Sequence, residues 1–336
     1  MNIRDRRAIH QAASERLDRA RGPMGRILLI YLGISIGLSL VSAFLSVFLS
    51  DRIANTGGLG NMGLRSILST GQTILPLVQA LVVMGLEMGY CMAAVGVSRE
   101  QAVSTDTLWG AFRRFFPLLR AMILQGLVYF AVGMMSMYLS AYIFVMLPVS
   151  AQFREIIAPI LESVTVLSSN ITLDEATIMQ AAAAMLPVFW IFLGLFLLLF
   201  IPLCYQYRMV IYRLIDQPRP GAFRALYESR VMMRRNRFAL FKLDLTFWWF
   251  YLLQVISVVI CYSDILLPSL GITLPISSTV SYFLFMILSL ALQGVVYYFA
   301  MNKVAVTYAV AYESLLPKEA PVQPPVVANS PWQDQY

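Results

Sequence analysis

The chain has 336 residues, of which 59% are hydrophobic and only 13% charged, with a formal net charge of +7. Soluble domains carry about 25% charged residues, so this chain cannot cover itself with a water-facing surface. Its apolar residues run in long unbroken blocks that do not alternate with polar ones, which excludes a β-barrel and points to an all-α polytopic bundle of six spans with interfacial amphipathic helices on the cytoplasmic side.

Residues 1–26 form a basic leader with Ile9 and Leu17 among its charges, broken by "RGPMG" before the first span. That span, 27–50, is far longer than the ~7–15 residues of a cleaved signal peptide's apolar region. The Gly-rich segment from Ser50 to Thr73 reads as an outer loop. The second span, 73–97, holds Gly85 and Gly89, continued by Ala93, a small-residue spacing that lets a second helix approach closely. Glu87 projects from another face, about 200° from Gly85 at ~100° per residue. The third span covers 117–147. In the outer segment 148–180, "QFREIIAPILESV" suits a short interfacial helix. Thr172 and Glu175 then have capping-box spacing, starting a helix that can run on into the fourth span, 180–207. The fifth span is 245–262 and the sixth 279–301, which closes a membrane domain of residues 27–315. The tail, 316–336, is Pro-rich and reads as disordered.

Charge sets the expected orientation. Segments 1–26, 98–120, 208–244 and 302–336 hold 22 of the Lys and Arg residues, and the segments between them only Arg52, Arg65 and Arg154. This asymmetry places both termini in the cytoplasm of a cell whose inner membrane the chain spans. The tetrapeptide "GAFR" occurs at 110–113 and 221–224, each time before a span. With the leader, this suggests three units of a basic stretch followed by two spans.

Catalytic and metal signatures are absent. The sole histidine, His10, lies in the leader, and Cys91, Cys204 and Cys261 have no ligand spacing. No cofactor, no metal and no catalytic residue is expected. The polar groups inside apolar blocks are Glu87, Gln125, Gln254 and Gln293, one each in spans two, three, five and six. They fall at similar depth and read as a shared cluster. Two roles stay open for it: a hydrogen-bonded group that locks the bundle, or a solute or proton path. On a helix, Arg230, Arg234 and Arg237 share a stripe flanked by Phe223, Tyr227 and Phe238, with Trp248 and Trp249 close by. That composition fits a lipid-headgroup interface, with anionic lipids as partners. Nucleic acid does not fit so apolar a surface.

The run "FIPLCYQYRMVIYRLIDQP", followed by "SRVMMRRNRFALFKLDLTFWW", resembles the bacterial integral membrane family catalogued as domain of unknown function 975. Ile201, Pro202, Tyr205, Tyr207, Asp216, Ser229, Asn236, Leu240, Phe241 and Trp249 fit its pattern. Gly110, Phe112 and Tyr312 fit it too, in "LWGAFRRFF" and "AVAYESL". The chain departs from it at Leu203, Arg235 and Thr246. The resemblance implies the fold and topology and supplies no activity. The expected role is a non-enzymatic organiser, assembly or regulatory factor of the membrane, acting with lipids, other membrane proteins or a second copy. The alternative is a transporter or channel subunit for a small solute or lipid, built on the Glu87 cluster. A cavity that reaches Glu87 separates the second role from the first.

Overall fold

The computed structural model describes residues 3, 5–55, 62–147, 150–151, 175–217, 221–269 and 277–316. Six of its helices are long and apolar enough to cross a membrane. The Pro-rich tail, the 152–164 helix and Thr172 lie outside the described residues.

Helix α1 (Arg6–Arg19) is capped by Asp5, whose side chain accepts from the Ala8 amide. It is not a free leader. Ile9 and Ala13 are fully buried where it docks on the last long helix. The break before the first span falls at Ala20, and "RGPMG" opens α2 (Arg21–Asn55) instead of ending α1. Pro23 sits in the first turn of α2, where its missing N–H removes no helical bond.

The outer loop expected from Ser50 to Thr73 is also mostly helix. α3 (Met62–Ser98) begins seven residues after α2 ends. The hydroxyls of Ser69, Thr70 and Thr73 donate back to carbonyls of the preceding turn, and Gln72 donates to Ser50 Oγ across the hairpin at 2.8 Å. These bonds satisfy polar groups that composition alone assigns to a loop.

A short helix, α4 (Asp106–Gly110), and a 3-10 turn (Ala111–Arg114) lead into α5 (Phe115–Met146). α6 (Glu175–Tyr207) runs unbroken through Pro187 and Pro202. The chain turns only at Arg208 and Met209, so no tight turn follows Pro202. Then come α7 (Val210–Asp216), α8 (Ala222–Met233) and α9 (Arg237–Asp244). α10 (Trp248–Cys261), α11 (Ser263–Ser269) and α12 (Ser278–Leu315) complete the chain.

The long helices pair as α2–α3, α5–α6 and α10–α12, matching the three units suggested by the sequence. In the third pair, Ser257 and Ser289 each donate to the other's carbonyl, at 3.0 and 2.9 Å. Such small hydroxyl residues let backbones approach and keep polar groups satisfied in lipid. α12 also packs on α2 and α3. The α5–α6 pair stands apart, held to the rest through α7, α8, α9 and the 3-10 turn at the basic end of the bundle.

α12 has 38 residues, about 57 Å at ~1.5 Å per residue, against a hydrocarbon core of ~30 Å. Its second half therefore projects at the basic end, beyond the span expected to close at residue 301. Val306–Tyr312 are buried on every side there, by α1, α3 and α7 neighbours. Ions then lock the cap. Glu313 accepts from Arg99 Nε at 3.0 Å, Ser98 Oγ at 3.0 Å and Arg16 at 3.3 Å. Arg99 reaches Asp216 at 2.8 Å, and Tyr312 donates to Asp216 at 2.6 Å.

His10 ties α1 to the start of the fifth span. Thr246 Oγ1 donates to the Leu243 carbonyl, so the 2.7 Å contact between His10 Nε2 and Thr246 Oγ1 has the imidazole as donor. Burial pushes the His10 pKa below its ordinary value, and the charges of Lys303 and Arg6 add to that. A lowered folded pKa means the unfolded chain binds the proton more tightly. The contribution is thus complete above the unfolded value of ~6.5 and is lost as pH falls through the folded value. The melting temperature is expected to drop between pH 7 and pH 5. Replacing His10 with Gln should flatten that part of the curve, and an unchanged slope would contradict this role.

Candidate functional site

The gap between the α5–α6 pair and the other four long helices encloses a cavity of about 340 Å³. Glu87 enters it from α3, about 16 Å along the axis from Ser98 at ~1.5 Å per residue. Gln125 lines it from α5 and Arg208 from the turn after α6. Both charged side chains are deep among protein atoms yet open to the cavity, because their exposed surface faces inward. Tyr90, Tyr129, Tyr207, Tyr212, Tyr251, Tyr297 and Tyr308 supply much of the wall.

The local geometry follows from where the helices break. Helix α6 stops at Tyr207, and the turn aims Arg208 back into the bundle, its Cζ 4.7 Å above the Tyr308 ring. Arg208 forms no ion pair among the described residues. Asp244, at the end of α9, accepts from Tyr205 at 2.8 Å and from Tyr308, and Tyr251 bonds Tyr308 at 2.9 Å. Glu87 makes no described hydrogen bond, and Arg208 is the opposite charge that acts on it. Arg208 interacts with Tyr251 and Asp244 but lies outside ion-pair distance of Glu87, so the two charges that face the cavity do not neutralise each other directly.

The four-residue polar cluster expected from depth divides in two. Gln125 joins Glu87, where it donates to Tyr129 at 2.6 Å. Gln254 and Gln293 instead line a second cavity, of about 600 Å³, in the opposite half of the bundle. Its wall includes Ser39, Ser42, Ser46, Gln79, Ser257 and Ser289, and Gln254 Nε2 is buried there without a hydrogen-bond partner. Depth along a helix was readable in sequence, but not the helix rotation that turns Gln254 and Gln293 away from Glu87. The two cavities approach each other on α12. Gln293, in the second, donates to the hydroxyl of Tyr297, in the first, at 3.4 Å. Tyr297 stacks on Phe250 with centroids 6.0 Å apart.

Gly85 and Gly89 lie in a close contact, but the partner is the α4 segment and the 3-10 turn after it rather than another spanning helix. A Cβ at Gly85 would meet the Phe112 ring, and one at Gly89 would meet the Leu108 backbone. Ala93 is fully buried.

The arginine stripe is also interrupted. α8 ends at Met233 and α9 starts at Arg237, with a turn between them. Arg230 and Arg234 stay exposed beside Phe223, Tyr227 and Val231. Arg237 turns inward and donates to Gln206 Oε1 at 2.7 Å. Trp248 and Trp249 are exposed at the start of α10. The residue that sequence reasoning missed is Arg208. It sits at the end of an apolar block, where it reads as one more positive-inside charge, and the surrounding tyrosines were the only signal of a site.

Among the described residues no group of three or more His, Cys, Asp and Glu could hold a metal ion. The fold and cavity define a polytopic helical membrane protein with an interior cavity that Glu87, Gln125 and Arg208 enter. The chain belongs to the family described as protein of unknown function (DUF975), whose model matches residues 1–319. No curated protein and no solved structure matches the chain.

Proposed function

We propose that the protein conducts a small solute or lipid headgroup through the membrane, without chemistry, by way of the two polar cavities. The observation that carries this is their meeting at Gln293 and Tyr297. One chamber lies toward the basic end and one toward the other end, and the hydrogen bond from Gln293 to Tyr297 links their linings. A barrier between two cavities set toward opposite ends is what a gated path needs. Arg230 and Arg234, with Phe223 and Tyr227, form in this reading a face that rests on anionic headgroups at the cytoplasmic surface.

Cysteine access tests the path. In a background with the native cysteines replaced, Ala305→Cys should react with a charged, membrane-impermeant thiol reagent applied from the basic side. Ala309→Cys, fully buried one turn further on, should not. Ser46→Cys, half-buried in the second cavity, should react only from the other side. Adding Tyr297→Ala should let the reagent reach Ser46→Cys from the basic side as well. Protection of Ala305→Cys equal to that of Ala309→Cys would remove the proposed path.

A further inference from the structure

The cavity at Glu87 has a side entrance. A groove of about 510 Å³ between α6 and α9 shares Cys204, Arg208 and Tyr251 with it. α6 packs on α5, α8 and α9 and makes little contact with α10, which leaves this side open. The groove walls are apolar, including Phe200, Phe241, Ile201, Leu245 and Trp248, and the last three are exposed on the flank of the bundle. A chamber that carries two charged side chains, with an apolar exit at the level of the spans, suits a molecule with a charged head and an apolar tail.

The charges specify the head. Arg208 and Glu87 face one chamber and are not within ion-pair distance of each other or of any other described partner. Asp244 on the groove side already has both oxygens engaged, by Tyr205 and Tyr308. An anion at Arg208 would sit in the field of the Glu87 carboxylate, and a cation at Glu87 in the field of the Arg208 guanidinium, so a ligand of one sign is disfavoured. A ligand with an anion and a cation a few ångströms apart matches both. The tyrosine rings around Glu87 favour an ammonium over a guest without charge. The chamber volume, about 340 Å³, is at the lower end for ligand pockets and suits a headgroup rather than a whole lipid.

We propose that the cavity binds the head of a zwitterionic lipid of the phosphoethanolamine type. Its phosphate lies against Arg208, its ammonium against Glu87 and the tyrosines, and its chain leaves along the groove past Phe241 and Trp248. This rests on the reading that the cavity is open to a ligand.

The test uses the full-length protein in detergent and native mass spectrometry. The probes are lysophosphatidylethanolamine, lysophosphatidylglycerol and the chain-free glycerophosphoethanolamine. A charge-assisted contact is worth ~1.5–3 kcal/mol, so each contact should change affinity by about tenfold or more. The parent should prefer the ethanolamine lysolipid by about tenfold over the glycerol one, and the chain-free head should bind at least about tenfold more weakly. Glu87→Gln should abolish the preference and keep the phosphate-dependent binding. Arg208→Gln should weaken both lysolipids. Arg19→Gln, in an exposed ion pair with Glu100 away from the cavity, should change neither. Because adduct ratios are read on folded protein, a variant that folds in low yield still gives an answer. Equal or reversed lysolipid preference in the parent would overturn the zwitterion. Equal binding of the chain-free head would overturn the lateral groove. Absence of every adduct with Ala305→Cys still labelled would overturn the ligand alone, whereas loss of that labelling too would remove the cavity reading beneath it.

Discussion

Gly89→Ala is expected to destabilise the protein far more than Gly85→Ala, although both lie on one face of α3 in a single small-residue motif. A Cβ at Gly89 would fall well inside contact distance of the Leu108 carbonyl oxygen and 2.8 Å from the Leu108 C and Cα atoms. Those are backbone atoms of α4, held by Leu108 buried in the core. They move only if the whole segment lifts. A Cβ at Gly85 would meet the edge of the Phe112 ring at 2.7 and 2.9 Å, and a ring at the end of a side chain can swing aside. Overpacking costs ~1–3 kcal/mol, and more where backbone must shift, offset by ~1 kcal/mol of helix propensity gained on replacing glycine. A net loss of about 3 kcal/mol at Gly89, and near zero at Gly85, follows. Gly126→Ala, with open space at its Cβ, is the control. Melting curves in detergent for the three variants decide it, and a Gly89→Ala protein as stable as Gly126→Ala would contradict the docking of α4 in this groove.

Glu313→Ala is the second large effect. Glu313 holds α1 through Arg16 and the end of α3 through Arg99 and Ser98. Its side chain and that of Asp216 are mostly shielded, at 22% and 13% exposure. Removing it leaves Arg99 with Asp216 alone and Arg16 without a carboxylate. Hydrogen bonds to charged groups contribute ~1.5–3 kcal/mol net, and partial exposure reduces that, so a loss of about 2–3 kcal/mol is expected. Arg19, whose partner Glu100 is more than half exposed at the same end, gives the comparison: Arg19→Ala should cost under about 1 kcal/mol. Equal melting temperatures for the two variants would contradict a shielded clamp.

How much of this was legible in the sequence depends on what sets each feature. The six spans follow from apolar run length, because lipid acts residue by residue on the whole block. Helix partners do not, because contacts are made between distant segments. Gly85 and Gly89 announced a close approach but not that "LWGAFR" would fill it. The second half of α12, "AVTYAVAY", looks like an ordinary mixed segment until α1 and α7 bury it on all sides. Asp216 and Tyr312 were picked out by family resemblance, and their hydrogen bond gives a physical reason for both residues. Glu87 stood out as a charge inside an apolar block. Its counterpart Arg208 did not, because charge at the end of a span is the commonest topology signal. Only the turn after Tyr207 reverses its meaning.

The most direct measurement is where water reaches inside the folded bundle. Pulsed radiolysis of the native protein in membranes generates hydroxyl radicals from water, and methionine is readily oxidised. Met122 and Met301 line the chamber beside Gln125 and Tyr308. Met24, Met88, Met209 and Met233 are enclosed, each at 1% exposure or less. Oxidation mapped by mass spectrometry is expected at Met122 and Met301 within the pulse, with the enclosed four protected. Protection of Met122 and Met301 to the same degree as Met88 would mean a dry, close-packed core, and the hydrated cavity at Glu87 and Arg208 would not exist.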